Sequence, residues 1–292
     1  MKAIIFGITG QDGFYLKSLL LSKGIDVIGV SRTSGDIIGD ISDFQFVQSL
    51  VSDSLPDYIF HLAANSTTRH SAIFENHSAI STGTINVLEA IRLHSSKTRV
   101  FLSGSAMQFQ NDGTPISEST PFEASSPYSV SRIQSVFFAR YYKSKFDLKV
   151  YVGYFFNHDS CFRTENHVNQ KIAASARRIK QGSEERLILG DLNVRKEFNF
   201  AGDFMEAVWI LVNQEKIFEI IIGSGVCHSI QEWLECCFEK IGKDWRNYVE
   251  INNEFVSEYN VLVSDSRILK NLGWCPKVDF DELAVKMIGD KI

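Results

Sequence analysis

A chain of 292 residues, 44% hydrophobic and 22% charged, buries a sizeable core, which excludes a disordered protein. Thirty basic against 35 acidic residues leave a net charge of -5, which excludes a general attraction to nucleic acid or to an anionic membrane. No apolar run reaches bilayer length and no secretory signal pattern precedes the first strand, so the expected location is cytoplasmic.

In chain order, the apolar run Ala3 to Phe6 ends in Gly7-Ile8-Thr9-Gly10-Gln11-Asp12-Gly13, and an amphipathic stretch over 14–21 follows, with Leu16, Leu19 and Leu20 at helical spacing. Gly7 permits a tight turn, Gly10 lets the backbone approach a pyrophosphate, and Gly13 lets the helix pack closely. The first helical amides, at Gln11 and Asp12, then face an anion. The Gly-x-x-Gly-x-x-Gly spacing is one residue longer than the standard dinucleotide fingerprint, and a strand–helix joint that binds nothing is the bland alternative. Residues 26–32 read as a second strand ending beside an adenosine ribose. Arg32 at that end favours a 2'-phosphate, hence NADP(H) over NAD, unless it is only a solvated loop arginine.

Asp40, with Ile41 beside it, is expected either to accept a hydrogen bond from an adenine amino group or to cap a helix over 43–51. A strand over 58–64 ends in Leu62, Ala63 and Ala64, small enough at the tip to leave room for a cofactor, and its His61 is expected as a core or sheet-edge histidine. A long helix over 71–93 leads to a strand over 99–102 and a polar turn, Ser103-Gly104-Ser105. After a loop at 111–115, Ser126-Pro127 opens a helix over 128–145, and a strand over 149–156 closes the region. The alternation predicts an α/β fold, a doubly wound parallel (Rossmann) sheet over 1–156, with ligands at the carboxyl ends of its strands. Ser105 stands at such an end. Tyr128 and Arg132, one helical turn apart, pair a phenol with a cation that lowers its pKa, as a proton donor working near neutrality needs; an ordinary surface pair is the alternative.

Beyond residue 156 the chain is more polar and irregular. Lys171, Arg177, Arg178, Lys180, Arg195 and Lys196 form either a solvated face or a site for a phosphorylated ligand near the helix start at Asn166. His158, Asp159 and His167 lack the spacing of a metal site, so no metal is expected. A short strand over 187–191, a helix over 202–213 and a strand over 218–222 follow. Ser229 and Glu232 form a capping box for a helix with Ile230, Trp233, Leu234, Cys237, Phe238 and Ile241 inward. A helix opening at 265–267 and ended by Gly273 precedes a last amphipathic segment over 283–288. This half is expected as a smaller α/β substrate lobe, 157–292, with some segments returning to the first domain. The five cysteines, Cys161, Cys227, Cys236, Cys237 and Cys275, are expected as buried free thiols.

Taken together these residues resemble the extended short-chain dehydrogenase/reductase superfamily, and more narrowly its GDP-mannose 4,6-dehydratase and GDP-6-deoxy-mannose reductase branch. The motifs that carry the resemblance are Gly-Ile-Thr-Gly-Gln-Asp-Gly at 7–13, Phe-Asn-His-Asp-Ser at 156–160, Leu-Gly-Asp-Leu-Asn at 189–193 and Leu-Gly-Trp-Cys-Pro at 272–276. The resemblance implies NADP(H) in the first domain and a nucleoside-diphosphate sugar, GDP-linked, in the second lobe. By matched position it implies Asn157, Lys171 and Lys196 on the nucleotide portion, with Val168 and Arg195 in the same substrate set. It also implies a homodimer, or a tetramer, formed through helices such as 71–93 and 128–145.

A 4,6-dehydratase of this branch carries Thr-x-Glu where this chain has Ser105-Ala106-Met107, and its glutamate removes the C5 proton. Met107 cannot take a proton. The expected reaction is therefore reduction of a 4-keto-6-deoxy sugar nucleotide in surface-glycan precursor synthesis: hydride arrives at C4, Tyr128 protonates the oxygen, Ser105 polarises the carbonyl, and Arg132 tunes Tyr128 and touches the nicotinamide ribose. The branch's Tyr-x-x-x-Lys is here Tyr128 to Arg132, its usual middle-helix asparagine is Ile80, and its usual phosphate-binding arginine is Phe255. A dehydratase or epimerase, and a catalytically impaired subunit that binds cofactor or sugar nucleotide, are the alternatives.

Overall fold

The computed structural model describes residues 1–252, 254–255 and 257–289. The chain forms two compact units, Met1–Gln110 with Glu118–Phe155 and Met205–Ile222, and Asn111–Ser117 with Phe156–Phe204 and Gly223–Ile292. In chain order the elements are β1 Lys2–Phe6, α1 Gln11–Ser22, β2 Asp26–Ser31, β3 Ile37–Ile38, α2 Phe44–Ser54, β4 Tyr58–His61, α3 Ile73–Asn76, α4 Gly83–His94, β5 Arg99–Ser105, α5 Pro127–Phe146 and β6 Val150–Phe155. There follow β7 His158–Asp159, α6 Val168–Lys180, β8 Leu187–Leu189, β9 Arg195–Glu197, β10 Asn199–Phe200, α7 Ala201–Val212, β11 Glu219–Ile222, β12 Cys227–Ser229, α8 Ile230–Glu239, β13 Val249–Ile251, β14 Val261–Leu262, α9 Arg267–Asn271 and α10 Phe280–Ile288.

The first unit is built on a seven-stranded sheet in the order β11-β6-β5-β4-β1-β2-β3, every neighbouring pair parallel. Its central strands are covered on both faces, so they read as continuous apolar runs such as Ala3-Ile4-Ile5-Phe6, whose side chains are 0–1% exposed. The chain leaves β1 toward β2 on one side, while β4 lies on the other. The switch point between β1 and β4, where such sheets open a crevice, therefore lies at the ends of Phe6 and His61.

Several expected elements differ in detail. The helix expected over 71–93 is broken: a 3₁₀ turn at His70–Ala72 and the single turn α3 lead into a π-helical segment, His77–Thr82, before α4. The wider π turns bury Ile80 and Ser81, and the Ser81 hydroxyl bonds Gln134 Oε1 of α5 at 2.8 Å. Asp40 does not cap α2. It accepts from Ser42 N and Ser42 Oγ at 2.9 and 2.8 Å, while Asp43 takes the amides of Gln45 and Phe46. Ser103 to Ser105, expected as a turn, continues β5 because Ser103, Gly104 and Ser105 pair with Gly153, Tyr154 and Phe155 of β6.

The second unit combines small sheets, β12-β9-β14, β13-β8 and β10-β7, with a core of Ile172, Trp233, Phe238, Leu283 and Met287 beneath α6, α8 and α10. The capping box opens α8 as the pattern requires, with Ser229 Oγ accepting Glu232 N–H at 3.0 Å. The strands β7 to β10 and β12 to β14 are two or three residues long, pairings too short to leave a period in the sequence. Glu197 on β9 fastens this unit: its fully buried carboxylate accepts from the amides of Ser224, Gly225 and Ser264 at 2.7, 3.2 and 2.7 Å and from Asn199 Nδ2. All five cysteines are free thiols, but only Cys161, Cys236 and Cys237 are buried; Cys227 is half-buried and Cys275 is exposed. Among the described residues no helix is long and apolar enough to cross a membrane, and no cluster of His, Cys, Asp or Glu is arranged to hold a metal ion.

Candidate active site

The glycine turn sits at the switch point. Gly7 has φ +93°, and a Cβ there would stand 2.8 Å from Ala63 N at the end of β4; a Cβ at Gly13 would stand 2.5 Å from Gly7 O. These two glycines are required by the close passage of the backbone itself. Gly10 is different, because a Cβ there would meet only Gly7 O at 3.5 Å, an ordinary contact. Gly10 also caps α1 without a side chain. Leu62, Ala63 and Ala64 are half-buried beside this turn, whereas Ile41 is buried and packs over Gly83, its carbonyl accepting from Asn86 Nδ2 at 2.9 Å. Gln11 is 7% exposed at the first helical position, with Asp12 next to it in the first turn.

Arg32, just past β2, is exposed and makes no hydrogen bond or ion pair among the described residues. The carboxylate nearest in sequence, Asp36, is already engaged by Gly29 N at 2.8 Å and Lys17 at 3.0 Å, which hold its carboxyl below the usual range.

At the end of β5, Ser105 is 9% exposed, and its Oγ accepts Met107 N–H at 3.2 Å. With that lone pair engaged, the hydroxyl hydrogen remains to donate outward. The following residues Ala106–Gln108 form a 3₁₀ turn, and neither Ser105, Ala106 nor Met107 offers a carboxylate. Tyr128 stands in the first turn of α5, whose start is fixed by the Ser126 capping box and Pro127 at its first position.

Arg132, one turn on, is not the surface cation that spacing alone allows. It is 5% exposed, its Nη1 donates to Ser103 O and, at 2.8 Å, to Ser103 Oγ, and its guanidinium carbon lies 5.1 Å from the Tyr128 ring centre. Ser103 Oγ passes the hydrogen bond on to His61 O at 3.0 Å. No carboxylate pairs with Arg132 among the described residues, and its Nε has no partner. Its charge acts on His61 instead: burial first, then the Arg132 charge, pushes that imidazole down to about 3 and keeps it neutral, as a core histidine.

In the second unit, Lys196 is buried with Asp159 and Arg163 nearby, and Asn157 is half-buried. Lys196 is 7% exposed, and burial lowers its ammonium to about 8, against the opposing pull of Asp159. Asp159 accepts from Asn169 Nδ2 at 2.6 Å and lies 3.6 Å from Arg163 Nε. His167, which caps α6 without a side-chain bond, is held near 4 by burial and the Arg163 charge. Asn157 Oδ1 has no partner among the described residues. Val168 is the first residue of α6, and Lys171 Nζ donates to Ile188 O at 2.7 Å. Arg195 is tied to Cys227 O at 3.0 Å and to Glu232 at 3.4 Å. Arg178 on α6 pairs with Glu165 and Glu185, so its charge is already balanced.

Sequence reasoning passed over Ser103, which carries Arg132, and Gln108, which holds Ser105. Gln108 left a readable signal, since Ser-x-x-Gln at 105–108 is the capping-box pattern; the reach of Arg132 to Ser103 left none.

A family profile described as GDP-mannose 4,6 dehydratase matches residues 4–287. GDP-mannose 4,6 dehydratase 1 of Arabidopsis thaliana is 33% identical over 321 residues, covering 99% of this chain and 89% of its own. Among solved structures, UDP-glucose 4-epimerase of Thermus thermophilus, complexed with NAD, superposes with TM-score 0.86 at 20% identity, covering 99% of this chain and 98% of its own. RMD of Pseudomonas aeruginosa, complexed with NADPH, gives TM-score 0.85 at 20% identity, with 98% and 97% covered. The α/β sheet, the glycine turn at its switch point and the match along nearly the whole chain lead to one conclusion: this chain is an enzyme of the GDP-mannose 4,6 dehydratase family, within the extended short-chain dehydrogenase/reductases.

Proposed function

We propose that the protein reduces the C4 ketone of a nucleoside-diphosphate 4-keto-6-deoxy sugar, GDP-linked, with NADP(H) as cofactor, in surface-glycan precursor synthesis in the cytoplasm. The observation that carries this reading is the serine turn: Ser105 Oγ accepts Met107 N–H, which leaves a hydroxyl hydrogen to donate, and Met107, at the position that the resemblance gives to the dehydratase's glutamate, has no carboxylate.

The residues present suit the cofactor. Gly10 leaves space in front of the turn that no protein atom needs, α1 has no capping side chain, and Arg32 carries an unspent charge suited to a 2'-phosphate. When bound, NADPH supplies the hydride. Ser105 donates to the C4 oxygen and stabilises the negative charge that develops there. Tyr128 delivers the proton to that oxygen. Arg132, stacked on the Tyr128 ring and anchored on Ser103, fixes the phenol and places a positive charge beside it. Asn157, Val168, Lys171, Arg195 and Lys196 serve the nucleoside diphosphate. A homodimer is supported by an apolar groove of about 440 Å³ along α5, lined by Val130, Phe137 and Tyr141, and by Phe74, 86% exposed.

A second reading, 4,6-dehydration, is favoured by the name of the family and of its 33% identical relative. One experiment separates the two. NADPH absorbance is followed with GDP-4-keto-6-deoxymannose, and water loss from GDP-mannose is followed separately. Stoichiometric NADPH oxidation in the first supports reduction. Loss of water from GDP-mannose without net NADPH consumption replaces it with dehydration.

A further inference from the structure

The end of β5 closes on itself. Gln108 Oε1 accepts Ser105 N–H at 2.9 Å while Ser105 Oγ accepts Met107 N–H at 3.2 Å, a reciprocal cap around a turn of only three residues. Such a short turn has little helix to stabilise. Gln108 is nevertheless completely buried, and its Nε2 has no acceptor among the described residues. An unpaired amide in the interior costs stability that an apolar side chain of the same shape would not. The residue is therefore better explained by what its oxygen holds than by packing.

Gln108 is itself held firmly. Its carbonyl accepts Glu123 N–H at 2.9 Å, and the next residue, Phe109, bridges to Phe122. Gly104 makes room for it, since a Cβ there would stand 3.1 Å from Gln108 Oε1 and 2.6 Å from Tyr154 Cδ1. A fixed amide oxygen thus holds the backbone of Ser105 by a hydrogen bond that neither Tyr128 nor Arg132 makes.

We infer that Gln108 is a positioning residue for Ser105: by taking the Ser105 N–H it keeps Met107 N–H on the acceptor side of Oγ and leaves the hydroxyl hydrogen pointing out of the turn as a donor. This rests on the proposed role of Ser105 at the C4 oxygen. Without the clamp the hydroxyl samples its other staggered positions, and the fraction of complexes aligned for reaction falls while binding is untouched.

The test uses the full chain with NADPH and GDP-4-keto-6-deoxymannose. Gln108→Met keeps the volume and removes the acceptor; kcat is expected to fall about tenfold, with KM for the keto sugar and Kd for NADPH within about twofold of wild type. Gln108→Glu restores an oxygen acceptor and is expected to recover most of kcat. In a Ser105→Ala background, itself expected to lose about a hundredfold, Gln108→Met should have no further effect. Wild-type kcat in Gln108→Met, a loss carried by KM, no recovery in Gln108→Glu, or a loss that persists after Ser105→Ala overturns the inference and leaves the reductase reading standing. Full activity of Ser105→Ala, or no NADPH oxidation by the wild type, overturns the reductase reading and the inference with it.

Discussion

Each unit holds a buried cation near its expected site, and the two are balanced in different ways. Lys196 is 7% exposed with Asp159 nearby, and burial brings its ammonium down to about 8. Arg132 is 5% exposed, has no carboxylate partner among the described residues, and rests on the Ser103 carbonyl, the Ser103 hydroxyl and the Tyr128 ring. A lysine in such a setting becomes a titrating group, whereas a guanidinium keeps its proton. The second unit's cation is therefore sensitive to pH, while in the first unit burial, and then the Arg132 charge, keep the neighbouring His61 neutral.

Four substitutions probe these cations and the groups around them. The largest effect is expected from Tyr128→Phe, which removes the proton donor that Arg132 supports; NADPH oxidation should fall by roughly 10²–10⁴-fold with the protein still folded, as measured by steady-state kinetics. Unchanged turnover would mean that Arg132 is buried for packing alone. Next, Arg32→Asp should shift the NADPH-over-NADH preference in kcat/KM by roughly 10–100-fold, the worth of one charged hydrogen bond, because this exposed arginine, unlike the two buried cations, has no partner to lose among the described residues.

The third prediction concerns Lys196. Its ammonium is present below about pH 8, so the Kd for GDP, followed by calorimetry, should rise roughly tenfold between about pH 7.5 and 9, and Lys196→Arg should flatten that dependence. The stability of the unliganded protein should move the other way. From about 8 to the ordinary value of 10.5 the unfolded chain binds the proton that the folded chain has lost, so this group's contribution to stability rises with pH across that window. A thermal scan of wild type against Lys196→Met reads the difference. The smallest effect is expected from Arg132→Lys. It keeps a charge but loses the planar fork that reaches Ser103, and should lower kcat about tenfold or less.

Much of the first unit was legible because its signals are local. The central strands are buried on both faces and therefore apolar throughout, and Gly7 and Gly13 stand at spacings that only a strand–turn–helix joint explains. The place of Tyr128 in the first turn of α5, behind the capped start at Ser126, could be read for the same reason. The break in the helix over 71–93 could not. His77–Thr82 adopts π turns through packing of Ile80 and Ser81 against other elements, and nothing in their own order announces it. The second unit was harder still, since β7 to β10 and β12 to β14 are pairings between distant segments with no period of their own.

The parallel sheet and the glycine turn followed from residue type at a fixed spacing, whereas the attention to Met107 and Arg132 came from the resemblance to a known branch. Tertiary structure alone decided the environment of those residues. It buried Arg132 against Ser103 and a neutral His61, lowered Lys196, and set Gln108 to hold the Ser105 turn. The physical reason is that periodicity and glycine geometry are properties of neighbours in the chain, while desolvation and hydrogen-bond satisfaction are properties of neighbours in space.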